Sequence, residues 1–74
     1  MAQITFRHEH RSSRRWVAVT ADFYARGRSI RWTAVVDCVE AQLTIAGGDL
    51  LGLGESPEQA VIRLAGDTVN LLRL

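Results

Sequence analysis

Seventy-four residues leave room for one small core and not for two. Apolar residues at 47% and charged residues at 23% exclude a disordered or low-complexity chain, and no uncharged run approaches the roughly 20 residues that cross a bilayer. The net charge is +1, and the single cysteine, Cys38, excludes an internal disulfide framework and a cysteine-based zinc cage. Arg7 and His8 stand where a secretory signal would carry its apolar stretch, so a soluble, cytoplasmic single domain over residues 1–74 is expected.

Ile4, Phe6 and His8 alternate with Thr5, Arg7 and Glu9, the period of a strand with one buried face. His10 to Arg15 is polar throughout and reads as a loop. A second strand follows from Trp16 to Tyr24, with Val17, Val19, Ala21 and Phe23 on one side and Trp16, Ala18, Thr20 and Asp22 on the other. Gly27 sits where a tight hairpin needs a positive φ, and a third strand runs from Ser29 to about Cys38 with Ile30, Trp32, Ala34 and Val36 in register. Residues 39–46 fit a strand or a short helix; the β-branched Val39, Thr44 and Ile45 favour the strand. Gly47-Gly48-Asp49 reads as a turn, and Leu50 to Gly54 as a crossover or a short edge strand.

The last element announces itself. Ser56 as N-cap, Pro57 at the first helical position, Glu58 in the first turn and Gln59 at N3 start a helix spanning roughly 57–73. Val61, Leu64, Ala65, Thr68, Leu71 and Leu72 form its expected apolar stripe, with Ile62 and Val69 off it and Gly66 costing about 1 kcal/mol relative to alanine. The fold class is therefore α+β: an antiparallel meander of three to four strands packed by one C-terminal helix. One helix covers one sheet face, so the other is expected to expose Trp16, Ala18, Thr20 and Trp32 as an apolar surface for a homodimer or a protein partner.

All nine basic residues are arginine, and seven of them fall in the first 31 residues against two acids. Arg11, Arg14 and Arg15 in the first loop, and Arg26, Arg28 and Arg31 around the hairpin, are the candidate partner-binding cations, with Trp16 and Trp32 as aromatic anchors. Nucleic acid is the second partner class, since arginine forks take phosphate and indoles stack on bases. The two loops lie at opposite ends of the second strand and need not form one patch. His8 and His10, at i and i+2, would point the same way and form two ligands of a metal site that lacks a third. Cys38 has no nucleophile signature around it, and Gly54-Glu55-Ser56 lacks the spacing of a nucleophile elbow. With no lysine in the chain and Glu55 beside the helix start, the glycines of 47–54 do not make a phosphate loop. A non-catalytic chain with no cofactor, metal or small-molecule substrate is expected.

Ile4 to Phe6, Trp16-Val17-Ala18-Val19 with Asp22-Phe23, and Gly52 to Ala60 together resemble the small domain of HicB-type antitoxins over about half the chain. Residues 25–47 have no counterpart in that pattern, nor does a proline-glycine follow the second strand. The resemblance implies a sheet-and-helix domain that binds a partner protein and oligomerises, and it brings no catalytic residue.

Overall fold

The computed structural model describes all 74 residues. Strands β1 (Ala2–Glu9), β2 (Trp16–Arg26), β3 (Ser29–Asp37) and β4 (Gln42–Leu50) form one antiparallel sheet in the order β1-β2-β3-β4, and helix α1 (Pro57–Asn70) lies across one face. The α+β meander is the architecture that the alternating pattern and the helix caps require. No helix is long and apolar enough to cross a membrane.

Alternation decides the core. Val17, Val19, Ala21 and Phe23 of β2 and Ile30, Trp32, Ala34 and Val36 of β3 point toward α1 and are buried beneath Ala60, Val61, Ala65 and Val69. The β2–β3 hairpin closes on Gly27 and Arg28. Gly27 has φ +61 while Arg28 stays at negative φ, the pattern of a type II′ turn that matches the twist of the strands. At the helix start, Ser56 Oγ accepts from the Gln59 N–H and the Gln59 side chain accepts from the Ser56 N–H, a complete capping box.

Four expectations are corrected. Gly47, Gly48 and Asp49 are not a turn; they continue β4, paired with Trp32, Arg31 and Ile30. Their glycines answer to neighbours across the ladder. A Cβ on Gly47 would stand 2.9 Å from the Trp32 indole, and one on Gly48 would stand 3.3 Å from the Ile30 carbonyl oxygen. The chain reverses instead at residues 38–41, where Cys38 and Ala41 exchange hydrogen bonds and Val39 is exposed. Trp32 lies in the core at 5% exposure, on the side of Ile30 and Ala34, and is no part of the open face.

The helix stops at Asn70, short of 73, and its buried line is rotated from the expected stripe. Val69 is buried and Leu71 is exposed, because the sheet meets the helix along Val61, Ala65 and Val69 at four-residue steps. A row of threonines, Thr5, Thr20, Thr33 and Thr44, runs across the middle of the open sheet face, with Gln3, Asp22 and Asp37 and the apolar Ala18, Val35 and Ala46 around it. Thr5 and Thr20 hydroxyls meet at 3.3 Å, and Gln3 donates to Asp22 at 3.0 Å. As expected from the sequence, this face exposes Trp16 and Ala18, together with Tyr24, Val35 and Leu50, and Trp32 is the one expected member that it lacks.

Candidate functional site

The sheet is elongated, and its two ends carry the arginines. Eleven residues of β2 span about 33 Å at the usual rise per residue, nearly the full 37 Å length of the molecule. Arg11, Arg14 and Arg15 lie at the end where β2 begins; Arg26, Arg28 and Arg31 lie at the other, around the hairpin. All six are exposed, and they form two separate groups.

The end at which β2 begins is the more elaborate. Pairing of β2 with β3 starts at Ala18 opposite Asp37, so Trp16 and Val17 run past the end of β3. A cleft of about 260 Å³ opens between them and the 38–41 turn, floored by Val17, Leu43 and Leu74 and rimmed by Arg15, Glu40 and Arg73. Ladder bonds alternate along an antiparallel strand, and this alternation turns the N–H and C=O of Trp16 toward the cleft, past the last β3 partner. The Trp16 indole is 56% exposed, with the Arg7 guanidinium 5.5 Å from its ring centroid. Arg14 sits at φ +62, a left-handed conformation that bends the loop, and meets Glu9 at 3.6 Å. Sequence reasoning names Arg11, Arg14, Arg15 and Trp16 here; it misses Arg7, Arg73 and Leu43. Arg7 is legible as the diagonal neighbour of Trp16 across a strand pair, whereas Arg73 reaches this end only because α1 runs antiparallel to β4 and returns the chain there.

The groups with chemical potential are engaged within the chain. His8 and His10 both point toward α1, as their spacing requires. The Asn70 side-chain Oδ1 accepts from the Arg11 N–H at 3.0 Å and from His8 Nε2 at 2.9 Å. His10 is buried; its Nδ1 accepts from the Ser13 N–H at 3.0 Å, which leaves Nε2 as the donor to the Leu72 carbonyl at 2.6 Å. His8 therefore ties β1 to the last residue of α1, and His10 ties the first loop to Leu72 just past the helix, each across 62 residues. No cluster of three or more His, Cys, Asp or Glu stands close enough to hold a metal.

At the far end of α1, Glu55 accepts from Arg63 Nε and Nη2, each at 2.9 Å, and from the Gly52 N–H at 2.8 Å. The Arg63 fork, with the Gly52 N–H, holds the Glu55 carboxyl at about 2, below its ordinary 4.5, and the same pairing raises Arg63. Cys38 is half-buried at the cleft, with no histidine hydrogen-bonded to it. Compared with protein-family models, curated proteins and solved structures, the chain matches none.

Proposed function

We propose that this chain is a small non-catalytic interaction module, antitoxin-like or inhibitor-like, that binds a protein or nucleoprotein partner through the end of the sheet where β2 begins. The observation that carries the reading is Trp16: a half-exposed indole at the mouth of an apolar cleft, with Arg7 over its ring and Arg15 and Arg73 on the cleft rim. Large aromatics and arginines supply most of the energy at protein interfaces, and a partner of matching chemistry offers an apolar side chain from an acidic surface. The partner-binding character that the HicB-like residues imply points the same way, since Trp16 to Val19 is one of the three stretches that carry the resemblance. Arg26, Arg28 and Arg31, about 26 Å or more distant by the strand rise, contribute to steering rather than to the contact.

The test is affinity capture from the source cell with the native chain, Trp16→Ala and Arg28→Ala. The reading expects a partner held by the native chain and by Arg28→Ala and lost with Trp16→Ala. Equal retention by Trp16→Ala refutes the site. A nucleic-acid target is the alternative, because the same arginines meet phosphate. Titration with generic DNA and RNA at low salt separates the two: binding that falls steeply as salt rises would establish the phosphate reading, and absence of binding at low salt removes it.

A further inference from the structure

β4 is an edge strand, paired with β3 on one side and with no strand on the other. Cys38 and Ala41 exchange hydrogen bonds, and the Leu51 N–H donates to the Arg28 carbonyl at 2.7 Å. These two anchors fix the alternation along the β3–β4 ladder: Leu43, Ile45, Gly47 and Asp49 turn their backbone groups inward to β3. Gln42, Thr44, Ala46, Gly48 and Leu50 turn theirs outward. Of the outward N–H groups, that of Leu50 is already taken by the Asp49 carboxylate at 2.7 Å. Four consecutive outward residues remain with both backbone groups free, and they are symmetric about Ile45.

The usual guards of a free edge are missing here. From Gln42 to Gly48 there is no proline, no charged residue and no positive-φ bulge. The opposite edge, β1, places Arg7 and Glu9 among its outward residues. Along β4 every residue but Ile45 is exposed; on the helix side Leu43 is 38% exposed and Ile45 half-buried.

We infer that β4 pairs antiparallel with β4 of a second copy of this chain, across a two-fold axis at Ile45, to give a continuous eight-stranded sheet. This register uses all four free residues. Gln42 stands opposite Gly48 of the second copy and Thr44 opposite Ala46, so small side chains face one another on the open side. On the helix side Ile45 meets Ile45 of the second copy in a close, non-hydrogen-bonded pair. Leu43 comes to lie over Gly47 of the second copy, beside the Trp32 indole that covers that glycine. The two Asp49 carboxylates lie eight residue steps apart, about 27 Å at the strand rise, and do not oppose each other. The contact is isologous and closes as a dimer, leaving β1 edges outside. It shares Leu43 with the floor of the Trp16 cleft but does not involve Trp16 itself, so loss of partner capture in Trp16→Ala and loss of the dimer in Ala46→Pro are read independently.

Sedimentation equilibrium of the native chain from micromolar to millimolar concentration tests the inference, together with two variants on outward positions. Ala46→Pro removes an outward N–H and leaves the β3 ladder intact; Thr5→Pro does the same on β1. The expected result is a concentration-dependent dimer for the native chain and Thr5→Pro, and a monomer for Ala46→Pro. Register is read by cysteine linkage in a Cys38→Ser background, where Ile45→Cys forms an interchain disulfide under mild oxidation and Thr44→Cys does not. If Ala46→Pro fails to fold by circular dichroism, this linkage decides. Three results overturn the inference: a native chain that stays monomeric at millimolar concentration, a dimer that survives in folded Ala46→Pro, or linkage in the Thr44→Cys variant as ready as in Ile45→Cys.

Discussion

Gly66 lies inside α1, where a glycine weakens the helix, and the fold supplies its reason: the His8 imidazole rests on its bare Cα. A Cβ built there would stand 3.0 Å from His8 Cε1 and 3.1 Å from Nδ1. Two effects of opposite sign then compete in Gly66→Ala. The helix gains about 1 kcal/mol of intrinsic propensity. Against this, His8 is held by its 2.9 Å hydrogen bond to Asn70 and cannot swing away without losing it. Overpacking of a filled site costs about 1–3 kcal/mol, and the hydrogen bond adds about 1 kcal/mol when broken. Gly66→Ala is therefore expected to lower stability by about 1–3 kcal/mol in the native background. In a His8→Ala background the obstacle is gone, and the same substitution raises stability by about 1 kcal/mol. Urea unfolding of the four members of this cycle, at constant m, reads both signs. A stabilising Gly66→Ala in the native background, or a destabilising one in the His8→Ala background, refutes the packing argument.

Three further outcomes follow from contacts in the same structure. His10→Ala removes a donor and an acceptor that tie the first loop to Leu72, and urea unfolding should show a loss of about 2 kcal/mol. His10→Gln, which keeps an amide donor near the Nε2 position, should recover part of it. Gly47→Ala drives a methyl toward the buried Trp32 indole at 2.9 Å and should cost about 1–3 kcal/mol, with a shift in tryptophan emission. Glu55 has its folded-state carboxyl at about 2 against an ordinary 4.5, so its contribution is fully present above 4.5 and is lost as pH falls through about 2. Glu55→Gln should flatten that part of the acid unfolding profile; an unchanged slope between 4.5 and 2 contradicts the Arg63 fork.

The sequence carries most of the fold because local rules and tertiary contacts agree over most of its length. Period-two alternation places Val17 to Phe23 and Ile30 to Val36 on one face, and the Ser56–Gln59 box marks the helix start with no reference to the rest of the chain. The misreadings occur where a distant partner decides. Gly47 and Gly48 look like a turn to any local rule, yet an indole and a carbonyl on β3 demand glycine there within a strand. Trp32 shares its parity with Ile30, and that parity already assigns it to the core. Val69 falls off the expected stripe because a line drawn at three- and four-residue steps can rotate by a position; the small residues Ala60, Ala65 and Gly66 mark the side where the sheet comes close. Of the candidate site, Trp16 and the first arginine loop are legible. The cleft is not, because it arises from the offset between the start of β2 and the end of β3, a matter of register.

The central claim, that recognition belongs to the Trp16 end and not to the threonine-lined sheet face, is tested most directly by a hydroxyl-radical footprint. The chain would be compared alone and bound to its captured partner. The expected result is loss of labelling at Trp16 and Leu74, with Tyr24 and Val35 unchanged. Protection centred on Val35 and Tyr24 while Trp16 stays reactive would contradict it.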